Sequence, residues 1–164
     1  MPRAALLALL LSLIAGRVVA ADPVLTILSP DRTLALTADD LRLLPRTELT
    51  ATDPHENKQH HYSGVLVRDL LAKVGAPMGE KLRGSSLQLA VVVHSKDGYG
   101  TLFALAEFDP AFSDRDLLLA DSEDGAPLAA NAAPLRLIAP GDKRAARWAR
   151  MVTSIEIVKP GSGP

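Results

Sequence analysis

The stretch Leu87-Gln88-Leu89-Ala90-Val91-Val92-Val93 is almost unbroken in apolar residues and passes directly into His94-Ser95-Lys96-Asp97-Gly98-Tyr99. So continuous a run predicts a strand over Leu87–Val93 covered on both faces. The polar hexapeptide lies where that strand emerges, a common place to build a site on a rigid scaffold. Gly98 permits a tight turn with positive φ, and Asp97 and Tyr99 can hydrogen-bond a ligand with amine and carbonyl edges. A plain hairpin turn, with Asp97-Gly98 serving only the backbone, is the competing reading.

Working toward the C-terminus, Tyr99–Ala104 is the next candidate strand. Ala106–Phe112 reads as a loop or short helical turn around Pro110, and Leu117–Asp121 as a strand. Asp124-Gly125 is a turn signal. Leu135–Ile138 is a short strand and Val152–Val158 an alternating final one. Toward the N-terminus, Val67–Val74 carries an apolar stripe at helical spacing with Gly75 as its stop. Asp53–His61 is polar and irregular, Thr47–Thr52 is strand-like, and Thr37-Ala38-Asp39-Asp40 caps a short helix running to about Leu44 before Pro45. Val24–Ser29 and Leu34–Leu36 complete the strands. Strands outnumber helices without alternating regularly with them, so the expected fold is α+β around a mixed, mostly antiparallel sheet, in one domain spanning 21–159.

The chain has 164 residues, a formal net charge of −1 and no cysteine. Disulfides, thiolate nucleophiles and thiolate-held metals are excluded, and the charge gives no reason to expect nucleic acid. Residues 1–20 place Arg3 before an apolar run from Ala4 to Ala15, followed by small residues, as in a secretory signal peptide cleaved after Ala20. No arginine pair precedes the run, so general export is expected rather than the twin-arginine route. The expected mature protein resides outside the cytoplasm with no lipid anchor, and 160–164 is expected to be a disordered tail.

Two further clusters could carry chemistry. His55, His60 and His61 with Asp53 and Glu56 fit a solvated loop, a metal site or a ligand-facing loop, although their spacing matches no closed metal motif. Lys143, Arg144, Arg147 and Arg150 surround Trp148, the only tryptophan. On a helical turn, Lys143, Arg147 and Arg150 would share a face suited to phosphate or carboxylate, with Trp148 either stacking on a flat ring or plugging the core. Arg136, inside the apolar Leu135–Ile138 strand, needs an internal acid or a bound anion.

Several phrases, in order, resemble the molybdopterin-binding domain of the sulfite oxidase family. They are Tyr62-Ser63-Gly64-Val65-Leu66-Val67-Arg68-Asp69-Leu70-Leu71, His94–Tyr99, Leu118-Leu119-Ala120 with Gly125-Ala126-Pro127-Leu128, Ala133–Gly141, Arg147-Trp148 and Val152–Val158. The resemblance covers roughly residues 60–158 and implies that family's α+β fold with a mixed sheet. In the family's enzymes a cysteine preceding the Ser-Gly-Val phrase ligates molybdenum; the corresponding region here, about Thr47–His61, has none. The resemblance therefore implies the small periplasmic branch that binds a pterin, reduced and without molybdenum. That branch relays occupancy to the periplasmic domain of a membrane-bound cyclic-di-GMP signalling enzyme. It further implies Trp148 for ring stacking and Asp97 or Glu107 for the amine edge. His94, Ser95 and Tyr99 would line the pocket, and Arg136, Lys143 and Arg144 would orient an anionic substituent. A molybdenum-cofactor oxidoreductase and a ligand-free interaction or assembly subunit are the alternatives.

Overall fold

Ten strands, two short α-helices and four 3-10 turns build residues 21–161, the part of the chain that the computed structural model describes. The expected leader, 1–20, and the end of the expected tail, 162–164, lie outside the described residues. The first sheet has the order β2 (Arg32–Leu36), β1 (Leu25–Ser29), β10 (Val152–Val158), β5 (Ala90–Ser95), β6 (Gly100–Ala104), with β1 and β10 parallel and every other pair antiparallel. The second places β3 (Thr47–Asp53) beside β4 (Lys58–Leu66) and β4 beside β7 (Leu118–Glu123). The far edge of β7 takes both β8 (Ala126–Pro127) and β9 (Arg136–Ile138). The inner faces of both sheets and the apolar side of helix α2 (Val67–Lys73) share one core that includes Leu25, Ile27, Leu70, Leu71, Val91, Val93, Leu119 and Ile155. Strands outnumber helices because the β-branched runs can bury alternate residues against this core.

The local signals act as their chemistry dictates. Thr37 accepts from the Asp40 backbone N–H at 3.2 Å while the Asp40 carboxylate accepts from Thr37 N at 2.8 Å, a capping box that starts helix α1 (Ala38–Arg42). Helix α2 ends where Gly75 adopts a φ of 82°, letting Gly75 N donate to Ala72 O and Ala76 N to Leu71 O. Asp124 and Gly125 both take positive φ, turning β7 into β8.

Three expectations need correction. The polar segment Asp53–His61 is a hairpin rather than an irregular loop: Ala51 pairs with His60, Thr52 with Gln59 and Asp53 with Lys58, and Asn57 takes φ 54° in the turn. Backbone pairing to β3 decides the conformation there, whatever the side-chain polarity. Strand β5 starts at Ala90, since Leu87 lies in a 3-10 turn (Gly84–Gln88). Only the face carrying Val91 and Val93 is fully covered; Val92 and His94 are half-buried on the other. The helical turn expected across 143–150 shrinks to a 3-10 turn over Ala145–Arg147, too short to align Lys143, Arg147 and Arg150 on one face.

Candidate ligand cleft

The turn after β5 forms one wall of a cleft of about 400 Å³. Ser95 N donates to Tyr99 O at 2.8 Å, Gly98 N donates to Ser95 O at 3.1 Å with φ 85°, and Asp97 Oδ1 accepts from Tyr99 N at 3.0 Å. This bonding folds Lys96–Gly98 tightly and presents Ser95, Asp97 and Tyr99 to the cleft. The opposite wall is the segment from Ala145 to Arg150. Tyr99 Oη donates to Ala146 O at 2.6 Å, tying the two walls together. Trp148 forms part of the lining but is only 2% exposed, its indole N–H donating to Ala139 O at 2.8 Å. His55, from the β3–β4 turn, closes a third side.

The cleft gathers four of the nine anticipated residues: Ser95, Asp97, Tyr99 and Trp148. The others lie elsewhere. His94 points to the opposite face of its strand, 3.4 Å from Glu156, because alternation puts neighbours of Ser95 on the other side. Glu107 is spent on Arg115 at 2.5 Å and Arg147 at 2.8 Å and on the Ala104 backbone N–H. Arg136 is buried behind the cleft. Lys143 and Arg144 are exposed and line no wall. In their place the fold supplies His55 and Arg150, neither of whose side chains makes a hydrogen bond or ion pair among the described residues. Arg150 belonged to the basic segment and His55 to the histidine-rich one, but only the hairpin pairing brings His55 across to Trp148.

One atom in the cleft is out of balance. Ser95 Oγ belongs to a side chain only 7% exposed and has no hydrogen-bond partner. Buried hydroxyls normally find one, so this orphan leaves a polar atom just beneath the cleft wall still in want of a partner. A second cleft of about 440 Å³ lies between α1, the β7–β8 turn and Pro134, but its best anion-binding group is already taken: Arg46 grips Asp121 through both terminal guanidinium nitrogens, at 2.5 and 2.6 Å.

Behind the ligand cleft a charged cluster joins the hairpin to the sheet. His60 Nδ1 lies 2.7 Å from Asp124 Oδ2, 3.4 Å from Glu123, and its Nε2 lies 3.4 Å from Glu56. The hydrogen bond to Asp124 raises the His60 pKa. The Asp124 carboxyl is lowered, first by the His61 backbone N–H and then by His60. A raised histidine stabilises the fold fully below its unfolded pKa of about 6.5 and loses that contribution as pH rises through the folded value. Urea unfolding of His60→Gln should therefore show its largest deficit against the parent near pH 6. The deficit should shrink by pH 9; a pH-independent deficit would refute the pairing.

A two-sheet α+β domain with a polar cleft at the end of β5 has the architecture of a sulfite oxidase-type molybdopterin-binding domain. The chain belongs to the oxidoreductase molybdopterin binding domain family, whose model matches residues 53–162, more than half of its length. Among solved structures it resembles the sulfane dehydrogenase SoxCD from Paracoccus pantotrophus with a TM-score of 0.62 and 22% identity, over 82% of this chain and 38% of that one. The likeness is one of fold, and this chain spans well under half of that protein. A search of curated proteins returned no match.

The family name implies a molybdopterin cofactor, and the two halves of that group fit differently. No thiolate is available to hold a metal, and among the described residues no cluster of three or more His, Asp or Glu is arranged as a ligand set. A cysteine-ligated molybdenum does not fit these side chains. A pterin does: the cleft lies within the roughly 300–1,000 Å³ of ordinary ligand pockets, with an orphan hydroxyl, a carboxylate and an aromatic ring on its walls.

Proposed function

We propose that this chain binds a pterin without molybdenum and acts as a recognition domain that performs no redox turnover. The observation that carries the proposal is the unpartnered, buried Ser95 Oγ in a cleft that also presents Asp97 and Tyr99. Asp97 spends one carboxylate oxygen on the Tyr99 backbone, leaving the other for the amine–amide edge of the bicycle. Tyr99, 46% exposed, offers an open ring for stacking, whereas Trp148 at 2% supplies the floor. His55 and Arg150 are the groups suited to an anionic substituent. Anaerobic calorimetry with a tetrahydropterin tests this, and absence of binding by reduced and oxidised pterins alike would refute it.

Ser95→Ala should weaken that binding by about 0.5–1.5 kcal/mol, the net worth of one neutral hydrogen bond. Its unfolding midpoint should be unchanged or higher, because no intramolecular bond is lost. A lowered midpoint with intact affinity would show the hydroxyl to be structural.

The apolar leader supports a periplasmic location, and the resemblance to small periplasmic pterin-binding proteins supports a relay to the periplasmic domain of a membrane-bound cyclic-di-GMP enzyme. Such a relay requires the pterin to prefer one state of the complex. Pull-down of that membrane partner should therefore change between pterin-loaded and pterin-free protein, and equal recovery would refute the relay. The family match itself favours a second reading, a molybdenum-cofactor oxidoreductase, which predicts metal in the native protein.

A further inference from the structure

Arg136 and Asp53 form an ion pair at 2.5 Å with side chains that are 4% and 2% exposed. Burying two charges is expensive, and a well-packed apolar pair of similar volume is often as stable or more so. Stability alone is thus a weak reason for this pair, and its other contacts suggest a different one. The Arg136 guanidinium carbon lies 5.5 Å from the centre of the Trp148 ring and 5.7 Å from that of Tyr62. Nη1 reaches the Tyr62 hydroxyl at 3.5 Å and lies 3.7 Å from Glu123. Asp53 Oδ2 takes the guanidinium, while its Oδ1 accepts from the His55 backbone N–H at 2.7 Å. One buried pair therefore touches the floor of the cleft, through Trp148, and the start of the turn that carries its third wall, through His55.

We infer that Arg136 and Asp53 are positioning residues of the cleft: they hold Trp148 and the His55 turn in fixed relation, so that the pocket is preformed before its ligand arrives. The inference rests on the pterin reading for its ligand but not for its geometry. Preformed walls matter because ordering a loop on binding subtracts from affinity. A planar guanidinium is suited to this task, since it lies against aromatic faces while bonding a carboxylate in its own plane. An ammonium in the same place would keep the charge and lose the flat contact.

Two variants of the protein separate positioning from folding. Asp53→Asn with Arg136→Met removes both charges together, leaving no buried ion uncompensated; Arg136→Lys keeps the charge and removes the planar contact. Each is read by its urea midpoint, by tetrahydropterin affinity under anaerobic conditions, and by acrylamide quenching of Trp148, the only tryptophan. In a variant that folds, quenching should rise and pterin affinity should fall by roughly tenfold or more, the scale on which lost supporting contacts around a site are felt. Unchanged quenching or unchanged affinity in a folded variant overturns the inference, and so does unfolding of both variants, which would make the pair a folding element. If the parent protein binds no pterin, the proposed ligand is wrong, while the quenching comparison still decides whether Arg136 and Asp53 set the cleft.

Discussion

Gly64→Ala is expected to give little or no folded protein, or a loss at or beyond the ~3 kcal/mol upper end of ordinary overpacking. A Cβ at this position would lie 2.1 Å from Leu119 O and 2.7 Å from the Ala120 Cα, both backbone atoms in the neighbouring strand. No side-chain rotamer can relieve that contact. Its origin is a register shift: Ser63 pairs with Ser122 but Gly64 with Ala120, so Asp121 is the extra residue of a bulge that brings β7 against β4. Arg46 clamps the bulge by gripping Asp121 and reaching Ser63 Oγ at 3.1 Å. A wild-type urea midpoint for Gly64→Ala would mean that the two strands do not approach in this way.

Trp148→Ala should destabilise the fold by about 3–5 kcal/mol, the usual cost of truncating a buried large aromatic. The substitution removes the indole bond to Ala139, the edge-on contact with Tyr62 at 5.9 Å and the aromatic face beneath the Arg136 guanidinium. Pterin affinity measured on this variant would mix loss of the fold with loss of the site. Tyr99→Ala, whose ring is far more exposed, should instead leave the unfolding free energy within about 1 kcal/mol of the parent and weaken pterin binding by roughly 1–3 kcal/mol, on the scale of base–aromatic stacking. Trp148→Ala with a parental midpoint would contradict the burial of that ring; Tyr99→Ala with parental affinity would remove it from the site.

Much of the architecture was legible because its signals are local. Thr37 with Asp40, the Gly75 stop, the Asp124-Gly125 turn and the alternation of Val152–Val158 each act within a few residues, and each became the element expected. The β3–β4 hairpin was not legible, because Lys58-Gln59-His60-His61 carries no apolar alternation; backbone pairing and a polar Thr50–His61 side-chain contact at 2.8 Å hold it to β3. The site divided along the same line. Ser95, Asp97 and Tyr99 share one tight turn, so their convergence could be read from spacing. His55 reaches the cleft only through that hairpin, and Arg150 only through the short 3-10 turn that replaced a helix. Glu107 and Arg147 looked like ligand groups in isolation; the fold pairs them with each other and with Arg115 and Asp142. The partner that Arg136 required from within its apolar strand is Asp53, supplied from a segment that reads as loop.

The central claim is that the cleft takes the organic half of a molybdopterin-type cofactor and not the metal. The most direct test is to isolate the protein from its native cells, then measure molybdenum and extractable pterin on the same sample. The account predicts pterin near one equivalent per chain with molybdenum at background. Stoichiometric molybdenum accompanying the pterin would contradict it.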